Sequence, residues 1–184
     1  MSVALPALGE TLGWTSDRIG LIGGVFFWTY AIGQFINGSL GDRFSSRLFV
    51  FFGLIGTACM NMLFAQAFPF AVMAIIWGVN GYFQSTGWGP IVKTASGWMD
   101  KSHRSTTATI LGTSFVFGSS ASLFLSGYLF EKYNQWELLF RAPSVILFAM
   151  AVIWVVFLRN DPTSAGLGSP QGTGAVSTYV DGNR

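Results

Sequence analysis

The sequence predicts an all-α membrane protein with about five transmembrane helices. Of its 184 residues, 51% are hydrophobic and only 10% are charged, whereas a soluble domain carries about 25% charged residues. Phe, Trp and Gly are abundant, with 18, 7 and 23 copies, and these residues are frequent in membrane helices and at their interfaces. Long uncharged stretches alternate with short charged segments. Together these features exclude an ordinary soluble fold.

Each uncharged stretch is a candidate membrane crossing, because a spanning helix needs about 20 residues. The stretch 48–92 is too long for one crossing and contains Pro69. Proline disfavours helix at its own position and at the preceding residue, so we divide the stretch there. The bundle is then expected over 1–160, with crossings near 19–40, 48–66, 70–92, 106–129 and 138–158.

The basic residues predict the orientation of this bundle. Most of them fall in the loops 42–47 and 93–104 and just after the last crossing, and loops rich in Lys and Arg face the cytoplasm. We therefore expect a multi-pass protein of the cell inner (plasma) membrane, with these loops and the C-terminal tail in the cytoplasm. Residues 161–184 are rich in Gly, Ser, Thr and Pro and predict a flexible linker or tail. Residues 2–8 resemble the last turns of a preceding helix, so we expect a first helix to be missing.

Several functional classes find no support in the sequence. The net charge of +2 comes from thinly spread residues, so no basic patch follows a nucleic-acid backbone. Cys59 and His103 are each the single residue of their type, which gives neither a metal-ligand cluster nor a catalytic pair. We expect no nucleic-acid partner, no metal site, no cofactor and no enzymatic activity.

Polar residues share one face of the first crossing. Tyr30, Gln34 and Asn37 are spaced i, i+4 and i+7, which places them on one side of a helix. They are predicted to line a substrate cavity, and the alternative is hydrogen bonding between helices.

The third crossing carries a similar face formed by Asn80, Gln84 and Trp88, among four glycines and Pro90. This composition favours a cavity wall or gate over a purely structural helix. Lys93 ends the crossing and either contacts an anion or extends to the cytoplasmic surface.

Small residues recur every four positions in the fourth crossing. They are Ser114, Gly118, Ser122 and Ser126, and such stripes usually let another helix pack closely. We predict packing there, with hydroxyl contacts to a ligand as the alternative.

The loop that follows the first crossing contains Gly38, Asp42, Arg43 and Arg47. Its pattern G-x-L-x-D-R-x-x-x-R resembles the loop signature of the major facilitator superfamily. Residues 81–90 and 161–167 resemble the organophosphate:phosphate antiporter branch, which includes glycerol-phosphate and hexose-phosphate transporters. The resemblance implies twelve helices in two halves, of which this chain supplies helices two to six, most of the N-terminal six-helix half.

The same resemblance implies roles for individual residues. The loop residues Gly38, Asp42, Arg43 and Arg47 would gate the transport path, and Tyr30 matches a cavity tyrosine of the second helix. Lys93 stands where glycerol-phosphate members have an arginine.

Two positions depart from the pattern of the glycerol-phosphate transporters. Gln34 replaces a cavity lysine and Phe115 replaces a histidine. Both departures remove positive charge, so we expect charge recognition from helices outside this chain.

We therefore predict a fragment of a secondary active transporter that moves a small polar or anionic organic solute, such as a sugar phosphate, by alternating access. Its expected partners are this solute, the lipid bilayer, the missing first helix and the C-terminal half. Two alternatives stay open: a transporter-like membrane sensor of a metabolite, and a nonfunctional truncated remnant.

Overall fold

The computed structural model describes residues 4–99, 103–159 and 166, without the side chains of residues 4–7, Asp42 and Arg104. Across these residues all regular structure is helical, which confirms the all-α prediction. The predicted tail at 161–184 lies outside the described residues except for Gly166. The helices are α1 (Ala4–Leu12), α2 (Ser16–Arg43), α3 (Ser46–Phe64), α4 (Phe70–Gln84), α5 (Trp88–Trp98), α6 (Arg104–Tyr133) and α7 (Leu138–Phe157).

Four of these helices are long and apolar enough to cross a membrane. The qualifying segments are Ser16–Gly41, Ser46–Phe64, Ser105–Tyr133 and Leu138–Phe157. The sequence predicted about five crossings, and the difference lies in the segment 70–92. The structure divides that segment between α4 and α5, which have 15 and 11 residues and are each shorter than a full crossing.

The division between α4 and α5 is a three-residue turn at 85–87. In a continuous helix the ring of Pro90 would clash with the carbonyl group of Thr86 and would deny that carbonyl its N–H donor. The N–H group of Thr86 itself bonds three residues back, to Phe83 O at 3.2 Å, in the tighter pattern of a 3₁₀ turn. Pro90 thus explains where the predicted crossing divides.

A second interruption joins α3 to α4 at 65–69, the stretch where the sequence predicted a break. Ala67 has a φ of 55°, in the left-handed region that few non-glycine residues adopt. Pro69 is the N-cap of α4, a position at which the helix needs no N–H donor.

The main buried cluster lies at one end of the bundle, where α1 and the start of α2 meet α3, α4 and α7. Phe140 is central to it, with its ring centroid 4.7 Å from that of Phe64, 5.6 Å from that of Trp77 and 6.0 Å from that of Trp136. We call this cluster the aromatic end. It consists of Leu8, Trp14, Ile22, Phe64, Ala65, Met73, Ile76, Trp77, Trp136, Leu139 and Phe140.

The helices pack unequally around this cluster. α2 packs mainly on α4, and α3 packs mainly on α7. Close approach of α2 and α4 requires Gly81, because a Cβ atom there would lie 2.6 Å from Phe26 O. In contrast, no residue of the apolar window of α6 is buried, so the surface of α6 is left for lipid or for further helices.

Candidate functional site

The turn at 85–87 is held against α2 by hydrogen bonds. Asn37 is 2% exposed, and its Nδ2 atom donates to Ser85 Oγ at 2.6 Å. Ser85 Oγ in turn donates to Tyr82 O at 2.6 Å. Gly33 permits this contact, because a Cβ atom there would lie 3.0 Å from Ser85 Cβ. The structure therefore places Asn37 between helices, in contact with the turn.

The other two polar residues of this face of α2 contact each other. Gln34 Nε2 donates to Tyr30 OH at 2.7 Å, and both side chains are half-buried. The three residues of the predicted face therefore do not form one site in the structure. Tyr30 and Gln34 contact each other, whereas Asn37 contacts the α4–α5 turn.

Asn80 forms a buried amide pair that the sequence did not reveal. Its side chain is fully buried, and its Nδ2 atom donates to Asn61 Oδ1 at 3.2 Å, which joins α4 to α3. The Oδ1 atom of Asn80 has no partner among the described residues. The sequence signal for Asn61 is a polar residue within an apolar crossing. Its pairing with Asn80 could not be predicted, because the two residues are 19 positions apart and lie on different helices.

A cavity of about 810 Å³ lies between α6 on one side and α2, α3, α4, α5 and α7 on the other. No charged side chain in the described part of the chain lines it, and its lining includes apolar side chains such as Phe115 and Phe140. Polar lining comes from Thr57, Asn61, Gln84, Thr86, Ser119, Ser122 and Ser126.

Only one of the predicted cavity residues lines this cavity. Gln84 lines it, whereas the remaining predicted cavity residues lie elsewhere: Tyr30, Gln34, Asn37, Asn80 and Trp88. Trp88 begins α5 and is 46% exposed. Ser122 and Ser126, two members of the stripe for which we predicted packing, line the cavity.

The predicted gating loop lies at the opposite end from the aromatic cluster, where α2 ends and α3 begins. Gly38 and Arg43 are exposed. Asp42 belongs to α2, but its side chain lies outside the described part.

Arg47 joins α3 to the end of α7. Its Nε atom donates to Val155 O at 2.7 Å, and a terminal guanidinium nitrogen donates to the same oxygen. Trp154 Nε1 donates back to Arg47 O at 3.1 Å. Because the last carbonyl groups of a helix lack intrahelical donors and carry partial negative charge, a cation stabilises this terminus.

Lys93 acts in the same way on α2. Its Nζ atom donates to Gly41 O at 3.1 Å, in the last turn of that helix. Trp98 Nε1 donates to Arg159 O at 3.2 Å and ties α5 to the residues after α7. Lys93, for which we predicted either an anion contact or extension to the cytoplasmic surface, lies outside the lining of the cavity.

These contacts bring the loops after α2, α5 and α7 to one end of the bundle. We call this end the basic end and define it by Arg47, Lys93, Trp98 and Trp154. Chemically, the described residues form a mainly apolar cavity with several neutral hydrogen-bonding groups, and a separate end where side-chain N–H groups bind backbone carbonyls.

The known proteins to which this chain is similar include transporters. The chain is 30% identical over 164 residues to "Probable hexose phosphate transport protein" of Chlamydia pneumoniae, which covers 89% of this chain and 36% of that protein. It is 29% identical over 168 residues to "Glycerol-3-phosphate transporter" of Bacillus subtilis, which covers 89% and 38%. It is 27% identical over 149 residues to "Glucose-6-phosphate exchanger SLC37A1" of Mus musculus, which covers 78% and 28%.

The chain thus spans a little over a third of the length of the first two of these relatives. Their names indicate transporters rather than enzymes, and they confirm the organophosphate:phosphate antiporter-like branch predicted from the sequence. The model of the Major Facilitator Superfamily matches residues 1–179. Since this match takes in the described helices, the chain belongs to the Major Facilitator Superfamily and is a multi-pass membrane protein.

Proposed function

We propose that this chain forms most of the N-terminal half of a secondary active transporter for a small phosphorylated organic solute. The observation that carries the proposal is the uncharged, partly polar cavity of about 810 Å³ bordered by apolar helices of spanning length. The names of the relatives supply the solute class, because they specify hexose phosphate, glycerol 3-phosphate and glucose 6-phosphate.

The transport path requires more helices than this chain contributes. The relatives extend well beyond the matched region, so we infer that a first helix and a C-terminal half complete the path. We further propose alternating access, in which the two halves rock around the bound solute. Tyr30 and Gln34, which lie outside the lining of the cavity described above, would contact the solute from α2.

The loop with Gly38, Asp42, Arg43 and Arg47 would gate this movement. Arg47 connects the start of α3 with the end of α7. A conformational change in this loop would therefore move both helices. We place the protein in the inner membrane, with loops 42–47 and 93–104 and the C-terminal tail in the cytoplasm. The clustering of the ends of α2, α5 and α7 at the basic end supports this placement.

Uptake of labelled glucose 6-phosphate by proteoliposomes that contain the complete protein tests the proposal. We expect accumulation in exchange for internal phosphate, and we expect Asp42→Asn to slow it several-fold at equal protein content. Glu131→Gln is the matched control, because it also removes a carboxylate, and Glu131 is exposed near the C-terminus of α6, outside the proposed gating loop. Uptake that Asp42→Asn leaves unchanged would contradict the gating role, and solute binding without accumulation would favour the sensor.

A further inference from the structure

The turn between α4 and α5 is held by few backbone hydrogen bonds. Thr86 N bonds to Phe83 O at 3.2 Å, and Gly87 N lies 3.5 Å from Gln84 O, which is longer than an ordinary N–H···O bond. The bond that begins α5 runs from Ile91 N to Gly87 O at 3.1 Å. Across the described residues, no backbone hydrogen bond therefore joins α4 directly to α5. A few residues at the end of an element can absorb a change in the angle between two helices.

On one side of this turn, α4 is fixed at the aromatic end of the bundle. Met73, Ile76 and Trp77 belong to the buried cluster there, and Asn80 bonds to Asn61 of α3. A movement of α4 would separate these packed side chains and forfeit their contacts. α4 is therefore the stationary side of the turn.

On the other side of the turn, α5 is attached to one face of α2. Gly33, Asn37 and Gly41 recur at every fourth position of α2 and share one side of the helix. We call these three residues the docking seam. Ser85 lies against Gly33 and accepts the hydrogen bond of Asn37. A Cβ atom at Gly41 would lie 3.1 Å from Pro90 Cγ, so the seam receives both the turn and the start of α5.

The contact with the seam continues along α5. Lys93 Nζ donates to Gly41 O at 3.1 Å. Thr94 lies one helical turn after Pro90, on the same face of α5, and both side chains are buried. The buried face of α5 is thus the face that carries its contacts with α2.

The docked arrangement leaves two buried polar atoms unsatisfied. Asn37 Oδ1 and Thr94 Oγ1 have no hydrogen-bond partner within the described part of the chain. A buried polar atom without a partner is costly, and contact with water removes that cost. The Asn37–Ser85 bond therefore stabilises the docked arrangement, whereas the two unsatisfied atoms favour an arrangement in which water reaches the seam.

We propose that α5 is a hinged half-helix that swings away from the docking seam about the turn at 85–87 while α4 stays in place. The Asn37–Ser85 hydrogen bond is the latch that holds α5 against α2. The swing admits water to the seam from the basic end. It takes place within one half of the proposed transporter, so it is additional to the rocking of two halves and independent of the identity of the solute.

The labelling rate of Thr94→Cys by a water-soluble thiol reagent measures the swing. The complete protein, with its other cysteines replaced, carries this substitution in lipid vesicles. Asn37→Ala removes the latch, and the loss of one hydrogen bond predicts labelling about fivefold faster. Ser85→Ala removes the same bond from the side of the turn and should have the same effect. The test therefore remains valid if one of the two latch variants fails to fold.

Two controls separate the swing of α5 from a general loosening of the bundle. Asn61→Ala also breaks a buried amide hydrogen bond, but that bond joins α3 to α4 and leaves the seam intact. It should leave the labelling rate of Thr94→Cys unchanged. Met73→Cys places the thiol on the stationary helix, because Met73 is buried on α4. Its labelling rate should not respond to Asn37→Ala.

Hydrogen–deuterium exchange makes the same comparison without added cysteines. In Asn37→Ala, the backbone amides of 88–98 should exchange faster than in the unmodified protein, whereas those of 70–84 should not change. Equal acceleration in both segments would contradict a hinge at 85–87.

The labelling results decide the proposal independently of transport. Unchanged labelling of Thr94→Cys in both latch variants would overturn it. Labelling that rises as much with Asn61→Ala as with Asn37→Ala would overturn the latch, and an equal rise at Met73→Cys would show that the whole bundle loosens. Because these measurements use no solute, a failure of the hinge leaves the proposed function standing, and a failure of uptake leaves the hinge standing.

Discussion

The aromatic end and the basic end hold the helices together by different means. At the aromatic end, Phe140 packs among the rings of Phe64, Trp77 and Trp136. At the basic end, side-chain N–H groups of Arg47 and Lys93 bind backbone carbonyl groups of other helices. Packed rings lose contacts as soon as they separate, whereas the freed groups at a helix end can hydrogen-bond to interfacial water. We therefore expect the basic end to open more readily than the aromatic end.

The largest expected effect follows from Phe140→Ala at the aromatic end. Removal of a buried aromatic ring typically costs about 3–5 kcal/mol, and Phe140 is 4% exposed. Unfolding of the purified protein in mixed micelles with increasing denaturing detergent measures the loss. Phe124→Ala is the matched control, because Phe124 is 80% exposed on α6. Similar losses in the two variants would show that the aromatic end is not the stabilising core.

A smaller effect is expected from Arg47→Gln at the basic end. The substitution removes the charged donor to Val155 O, and hydrogen bonds to charged groups contribute about 1.5–3 kcal/mol. The same unfolding measurement applies, with Arg43→Gln as the control because Arg43 is exposed. A loss as large as that of Phe140→Ala would contradict the proposed difference between the two ends.

The smallest effect is expected from Trp154→Phe. This substitution keeps an aromatic ring but removes the Nε1 donor to Arg47 O, and a neutral hydrogen bond contributes about 1 kcal/mol. Trp28→Phe is the control, because Trp28 is 73% exposed. Combining Trp154→Phe with Arg47→Gln sharpens the comparison. The two effects should be non-additive, since both substitutions act on one α3–α7 contact.

The sequence predicted the helical class because long uncharged stretches are visible without knowledge of tertiary structure. Pro69 was sufficient to place the interruption before α4. The effect of Pro90 was harder to predict, because glycines and a proline together allow a bend, a kink or a complete turn. The turn is stabilised by the Asn37–Ser85 hydrogen bond and by the close approach of Ser85 to Gly33. Asn37 and Gly33 belong to α2, so these contacts cannot be predicted from the local sequence around Pro90.

The candidate site was less predictable for a related reason. Periodicity assigns residues to helix faces, but it does not say which helix each face meets. Asn61 and Asn80 pair across two helices. Arg47 and Lys93 donate to the backbone carbonyl groups of Val155 and Gly41, and such acceptors carry no signature in the sequence. For Lys93 we predicted an anion or the membrane surface, and the structure adds a contact with the end of α2.

The reciprocal contact between Arg47 and the end of α7 constrains how the protein is assembled during synthesis. Arg47 and Val155 are 108 residues apart, and translation at about 5–20 residues per second takes roughly 5–20 s to cover that distance. During this interval α3 is already made, but the carbonyl group that receives its arginine does not yet exist. The apolar length of α3 and the attraction of Arg47 to lipid headgroups must hold the helix in place. The final register of α3 against α7 is therefore set only after the ribosome has passed residue 155.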